Sequence, residues 1–244
     1  LKNIDVHALP NGQYNLSGLL RMFERAKTQA DLGALEAKLT QSFLLYATQV
    51  HSGMVQPDKI DEAIAHKIEY VPIRAYLEGL TISNPVKFIK SLPPQSQEYH
   101  HLLRARQDLL KIQQNGGWGP LVPLGKYRFG DTGLNIIRLR DRLITKSYLK
   151  RSMSVEFDEA MLSAVTQFQE DHGLASDGVA GESTISEINI SILERLKAVT
   201  VAMERERWQN KKDLLSGDIV TRKILVNLTD FTAKIIDNGI VTFQ

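Results

Sequence analysis

The sequence contains no cysteine. That absence excludes disulfides, thiolate metal sites and a cysteine nucleophile within these residues. It is compatible with an oxidising compartment without requiring one. A dominant charge is missing too. Thirty Lys and Arg face 28 Asp and Glu, and the net charge of +2 gives no argument for nucleic acid. No apolar run approaches the roughly 18 residues of a membrane span. The chain opens on Leu1 rather than Met, and nothing near it has the make-up of a signal peptide. A signal or anchor segment is therefore expected to precede it. No Gly-x-Ser-x-Gly elbow, P-loop or dinucleotide fingerprint is present, which disfavours those enzyme classes. What remains is a globular composition, 43% hydrophobic and 24% charged, and 244 residues suffice for one large domain or two to three small ones.

What is there is mostly helical in period. Leu32, Leu35, Leu39, Phe43 and Tyr46 recur at spacings of three and four, which predicts one apolar face, with Asp31 as N-cap and Gly53 as the exit. Asp58 and Asp61 bracket a short helix start before Ala63. Leu77 and Leu80 close another apolar stretch, and Pro85 opens the next. After the Pro93-Pro94 break, Tyr99 through Ile112 support one longer helix that ends near Asn115-Gly116-Gly117. Trp118 to Gly130 is rich in Gly and Pro and reads as a linker or a domain entry. Three helices are predicted after it. The first is capped by Asp131 or Thr132 and buries Ile136, Leu139 and Leu143. The second starts near Asp158, buries Met161, Ala164, Val165 and Phe168, and stops at Gly173. Asp177-Gly178 makes a turn, and Gly181 leads into the third, with Ile185 and Ile188 inward. A further helix over 191–208 carries Ile192, Leu196, Val199 and Met203 on one stripe. The period then becomes strand-like at Ile224–Leu228, Phe231–Ile236 and Ile240–Phe243, with Asn238-Gly239 as a hairpin signal.

These residues carry a resemblance. Phe168-Gln169, Gly173-Leu174, Asp177-Gly178, Gly181 and Thr184 form the pattern of a three-helix module that grips bacterial cell-wall polymer. It is followed by Met203-Glu204-Arg205-Glu206-Arg207-Trp208, then Ile224-Leu225-Val226-Asn227 and Phe231. In that order the chain resembles the large L,D-transpeptidases of the YcbB type from Gram-negative bacteria. The resemblance is strong from about 130 to 244 and rests on helical pattern alone before that. It implies a periplasmic parent enzyme, exported or anchored in the inner membrane, that makes 3–3 cross-links between peptidoglycan stem peptides. Its thiolate nucleophile, activated by a His, would attack a donor carbonyl and form an acyl-enzyme that an amine resolves. No catalytic residue can be carried over, because the Cys and His motif of that family would follow Gln244. As written, the chain is expected to be inactive.

The fold expected is mainly α. It comprises a helical scaffold over 1–119, a three-helix peptidoglycan-binding domain over 120–190, a connecting helix and linker over 191–222, and the first strands of a β-rich catalytic domain over 223–244. A sheet left open at Gln244 is expected to be mobile or to pair with another copy of the chain.

Six residues stand out as candidates for peptidoglycan contact: Arg138, Arg142, Gln169, His172, Asp177 and Thr184. Each has a plainer reading. Asp177, Gly178, Gly181 and Thr184 also suit turns and caps. Gln169, beside core Phe168, is read as exposed and available to glycan or stem peptide, although a surface Gln needs no function. Arg138, Arg140, Arg142, Lys146, Lys150 and Arg151 form a basic cluster. It suits the carboxylates of stem peptides, or else it is a solvated face balanced by Glu156, Asp158 and Glu159. His172 complements a helix C-terminus. His100-His101 point about 100° apart on a helix and are not expected to share a metal. No cofactor or metal is expected. The partners expected are stem peptides or glycan and cell-wall synthesis proteins. The alternative is a stand-alone peptidoglycan-binding or scaffold protein that docks a cell-wall synthesis partner.

Overall fold

A computed structural model describes residues 4–62, 64, 67–210, 222–227, 232–237 and 240–243. The chain is mainly α, with one small antiparallel sheet near its C-terminal end. It divides into two compact units. One is Leu1–Arg106 together with Val199–Gln244, and the other is Gln107–Ala198.

In the first unit, short 3-10 turns precede α1 (Leu16–Arg25) and the long α2 (Gln29–Ser52). Thr28, rather than Asp31, caps α2. Thr28 Oγ1 accepts from the Asp31 N–H at 3.1 Å, and the Asp31 carboxylate accepts from the Thr28 N–H at 2.9 Å. This is a capping box, and it places Asp31 inside the helix at its third position. Gly53 ends α2 at φ +97°, as the sequence predicts. The apolar face predicted for α2 is buried only toward its end. Tyr46, Ala47 and Val50 join a core with Tyr14, Tyr76, Phe88 and Leu92. Leu32 and Leu39, a helical turn and more before that core begins, are 47% and 50% exposed.

Next come α3 (Pro57–Ile60), α4 (Ile73–Ile82), α5 (Pro85–Ser91) and α6 (Gln97–Gln114). The first starts at Pro57, so Asp58 lies in its opening turn and Asp61 just past its end. Ala63 lies outside the described residues. Asn84 caps α5 by accepting from the Val86 and Lys87 N–H groups. Gly79 lets Phe88 lie against α4, since a Cβ there would stand 2.2 Å from the ring. Gly116 and Gly117, both at positive φ, close α6.

The second unit holds α7 (Leu134–Thr145), α8 (Glu159–Asp171), α9 (Glu182–Asn189) and the first part of α10 (Ile192–Trp208). Gly133, not Asp131 or Thr132, precedes α7, and no side chain caps it. Asp131 accepts instead from the Arg128 N–H at 2.8 Å, and Thr132 pairs with Glu156 in an isolated bridge. The Asp131 N–H also bonds the Arg128 carbonyl at 3.0 Å, so both residues are engaged ahead of the helix.

The last turn of α10 belongs to the first unit. Glu204 Oε1 accepts from the N–H groups of Met54 at 2.6 Å and Val55 at 2.9 Å, and from the Trp208 indole at 3.1 Å. Its other oxygen pairs with Arg207 at 2.8 Å, and Arg207 also reaches the Tyr99 hydroxyl and the His7 carbonyl. The conspicuous Met203–Trp208 hexad thus pins the end of a helix to the loop that leaves α2.

The sheet runs β1 (Arg222–Asn227), β2 (Thr232–Asp237) and β3 (Ile240–Phe243), antiparallel in that order, with an irregularity at Ile235/Ile236. Arg222 and Asp237 form a two-bond ion pair across β1 and β2. The predicted Asn238-Gly239 turn, Leu228 and Phe231 lie outside the described residues.

Candidate functional site

The Gln107–Ala198 unit has its own core, in which Ile136, Leu139 and Leu143 of α7 meet Met161, Val165 and Phe168 of α8 and Ile185 and Ile188 of α9. Val122 is tied in by Asn189, whose amide donates to the Val122 carbonyl and accepts from its N–H. Tyr127 pairs with Ala180, so the Gly/Pro-rich stretch is stitched to the turn before α9.

Gln169 is the centre of the motif. It is buried, not exposed as the sequence suggests. Its amide nitrogen lies 3.0 Å from each of Asp177 Oδ1, the Val179 carbonyl and Thr184 Oγ1, and its oxygen accepts from the Gly178 N–H at 2.9 Å. The end of α8 around it is a Schellman motif. The Leu174 N–H donates to Gln169 O at 2.8 Å and the Gly173 N–H to Glu170 O at 3.2 Å, with Gly173 at φ +65°. Gly178, at φ +71°, has no room for a side chain, because a Cβ would fall 2.4 Å from Leu162. The Val179 amide, then Gln169, hold the Asp177 carboxyl below its usual pKa. These residues therefore form one hydrogen-bonded unit whose local role is to fix the α8–α9 turn.

The basic cluster is not a face. Arg140 and Arg142 are buried. Arg140 bonds the Glu156 carbonyl and the Asp158 carboxylate, at 2.6 and 2.7 Å. Arg142 gives all its reach to the carbonyls of Gly119, Pro120 and Ile188. Neither is a solvated charge nor a surface hand for carboxylates. Arg138 is half-buried, and Lys150 and Arg151 are exposed. His172 caps α8, stacks on Phe168 at 4.0 Å and donates from Nδ1 to the Phe168 carbonyl at 2.8 Å. Its Nε2 lies 3.9 Å from Glu187. Of the six candidates, then, Arg138, His172 and Asp177 reach solvent.

One member of that basic cluster, Lys146, has neighbours in this unit that the sequence pattern did not bring to it. The Lys146 ammonium stands 3.3 Å above the ring of Trp118, and Arg195 is paired with Glu187. The basic cluster pointed to Lys146, but only an aromatic in a Gly/Pro-rich stretch hinted at Trp118. A surface concavity of about 380 Å³ lies beside the start of α7, lined by Lys126, Tyr127, Asp131, Thr132 and Asn135 among others. Among the described residues no group of three His, Asp or Glu is placed to hold a metal, and no helix is long and apolar enough to cross a membrane.

Residues 1–105 match the family model described as "Scaffold domain". Residues 132–188 match the one described as "Putative peptidoglycan binding domain". The second match runs from the bridge before α7 to the end of α9, and so covers the Gln169 unit and most of its core. This similarity supports a cell-wall binding role with peptidoglycan as partner. A scaffold domain followed by a peptidoglycan-binding domain fits the YcbB-type architecture. No curated protein matches the chain.

Proposed function

We propose that this chain is the non-catalytic, wall-binding portion of a peptidoglycan L,D-transpeptidase of the periplasm. Residues 120–190 hold the polymer, and the helical part before them acts as scaffold. Cross-linking by that parent enzyme depends on a thiol, and β1 to β3 belong to its catalytic domain. One observation carries the reading. The similarity to peptidoglycan-binding domains falls on a stretch with its own core and its own buried hydrogen-bond network. The exposed Phe23, Leu32 and Leu39 favour a second reading, in which the helical part docks a cell-wall synthesis protein.

Co-sedimentation with isolated peptidoglycan sacculi tests wall binding, with a version lacking residues 120–192 beside it. The expected result is that the full chain pellets and the shortened one stays in solution. Equal behaviour of the two would reject the assignment. For the parent enzyme, the complete gene product should form cross-links that vanish on alkylation of its thiol. Cross-links that survive alkylation would remove the transpeptidase reading.

A further inference from the structure

We propose that Lys146, with Trp118 beneath it and Arg195 beside it, receives a carboxylate of the peptidoglycan stem peptide. This rests on the wall-binding reading above and names the residue and the chemical group involved.

Lys146 follows the last turn of α7, and its backbone N–H closes that turn onto the carbonyls of Arg142 and Ile144. Its side chain crosses Trp118, which is 8% exposed and forms a floor for the ammonium. A ring face attracts a cation but satisfies none of the directional N–H bonds an ammonium makes. Among the described residues Lys146 has no carboxylate within ion-pair distance. The charges that act on it are Arg195, Arg142 and Glu187, two cations against one anion. That anion is already paired with Arg195 through Oε1, and His172 Nε2 lies 3.9 Å from the same oxygen. Arg142 adds its own positive charge and brings no anion with it, because its bonds all end on neutral carbonyls. Lys146 is thus a half-buried cation in a net positive setting, and among the described residues its ammonium makes no hydrogen bond. A carboxylate fits that need through a charge-assisted hydrogen bond. Stem peptides are where the wall polymer carries such groups.

The titration of Lys146 agrees. Burial first, then Arg195 and Arg142, push it down to about 7, with Glu187 opposing. A bound anion favours the charged form, so it must raise that value, and binding must weaken as pH climbs through it. A lysine that merely covers Trp118 at a helix end would show neither effect.

The test follows the Lys146 Cε–Hε signal by NMR in the full chain. The probes are a stem tetrapeptide with free carboxylates, its amidated form, and acetate. The free tetrapeptide should raise the Lys146 titration by about one unit and lose about tenfold in affinity with Lys146→Met, which keeps the apolar cover on Trp118. Lys146→Arg should retain binding. Amidated peptide and acetate should leave the titration where it was. An unmoved Lys146, or a Lys146→Met chain that binds as tightly as wild type, would overturn the proposal. An equal response to acetate would overturn the stem-peptide assignment. Sacculi sedimentation of the same protein separates the two levels. Pelleting without a Lys146 response removes this site and leaves wall binding standing, whereas failure to pellet removes wall binding itself.

Discussion

Gln169 makes four polar contacts from one buried amide, and no other side chain in the Gln107–Ala198 unit holds the α8–α9 turn from so many directions. Replacing it with Leu should cost about 2–4 kcal/mol, because the Gly178 N–H and the Thr184 hydroxyl are left without a partner. Urea unfolding of the variant chain checks this, and a loss below about 0.5 kcal/mol would show that the network is dispensable. The burial of Gln169 was half legible. It lies four residues after Val165, on the stripe that also buries Met161 and Phe168. Its polarity argued the other way, and the partners that make burial affordable come from residues 177–184, which only the folded turn brings close. Arg142 misled for the same reason. Its acceptors, the carbonyls of Gly119, Pro120 and Ile188, leave no trace in a pattern of side chains.

Among the elements, α10 shows what a motif can conceal. Met203–Trp208 carries a resemblance in the sequence, and in the fold its Glu204 is a clamp on the Met54 and Val55 N–H groups. Glu204→Gln would leave the fully buried Arg207 without its counter-charge. The expected loss is about 3–5 kcal/mol, read as a lowered urea midpoint with an unchanged slope. A midpoint within error of wild type would mean that Arg207 is held by Tyr99 and the His7 carbonyl alone. Helix ends at Gly53, Gly116 and Gly173 were legible, because a residue free to take positive φ marks a stop locally. Helix starts were less so. Thr28 and Asp31 share one capping box, and either alone reads as a cap. Asp131 and Thr132 have cap chemistry, but the Asp131 carboxylate is taken by the Arg128 N–H and the Thr132 backbone by its bridge to Glu156. The apolar face of α2 was legible as a period, yet the period could not say where the core that covers it stops.

At the scale of the whole molecule, the Gln107–Ala198 unit is the part proposed to hold the cell wall. The order of helices, turn and strands was legible because each piece announces itself through local spacing. The location of a binding surface was not, because three of the six candidate residues turned out to be occupied inside the fold. Amide chemical-shift mapping of the isotope-labelled chain with soluble muropeptides released from sacculi decides whether that unit binds. Saturable shifts confined to residues 107–198, centred on Lys146 and its neighbours, are expected. Shifts confined to residues 4–106, or none at saturating muropeptide, would contradict that assignment.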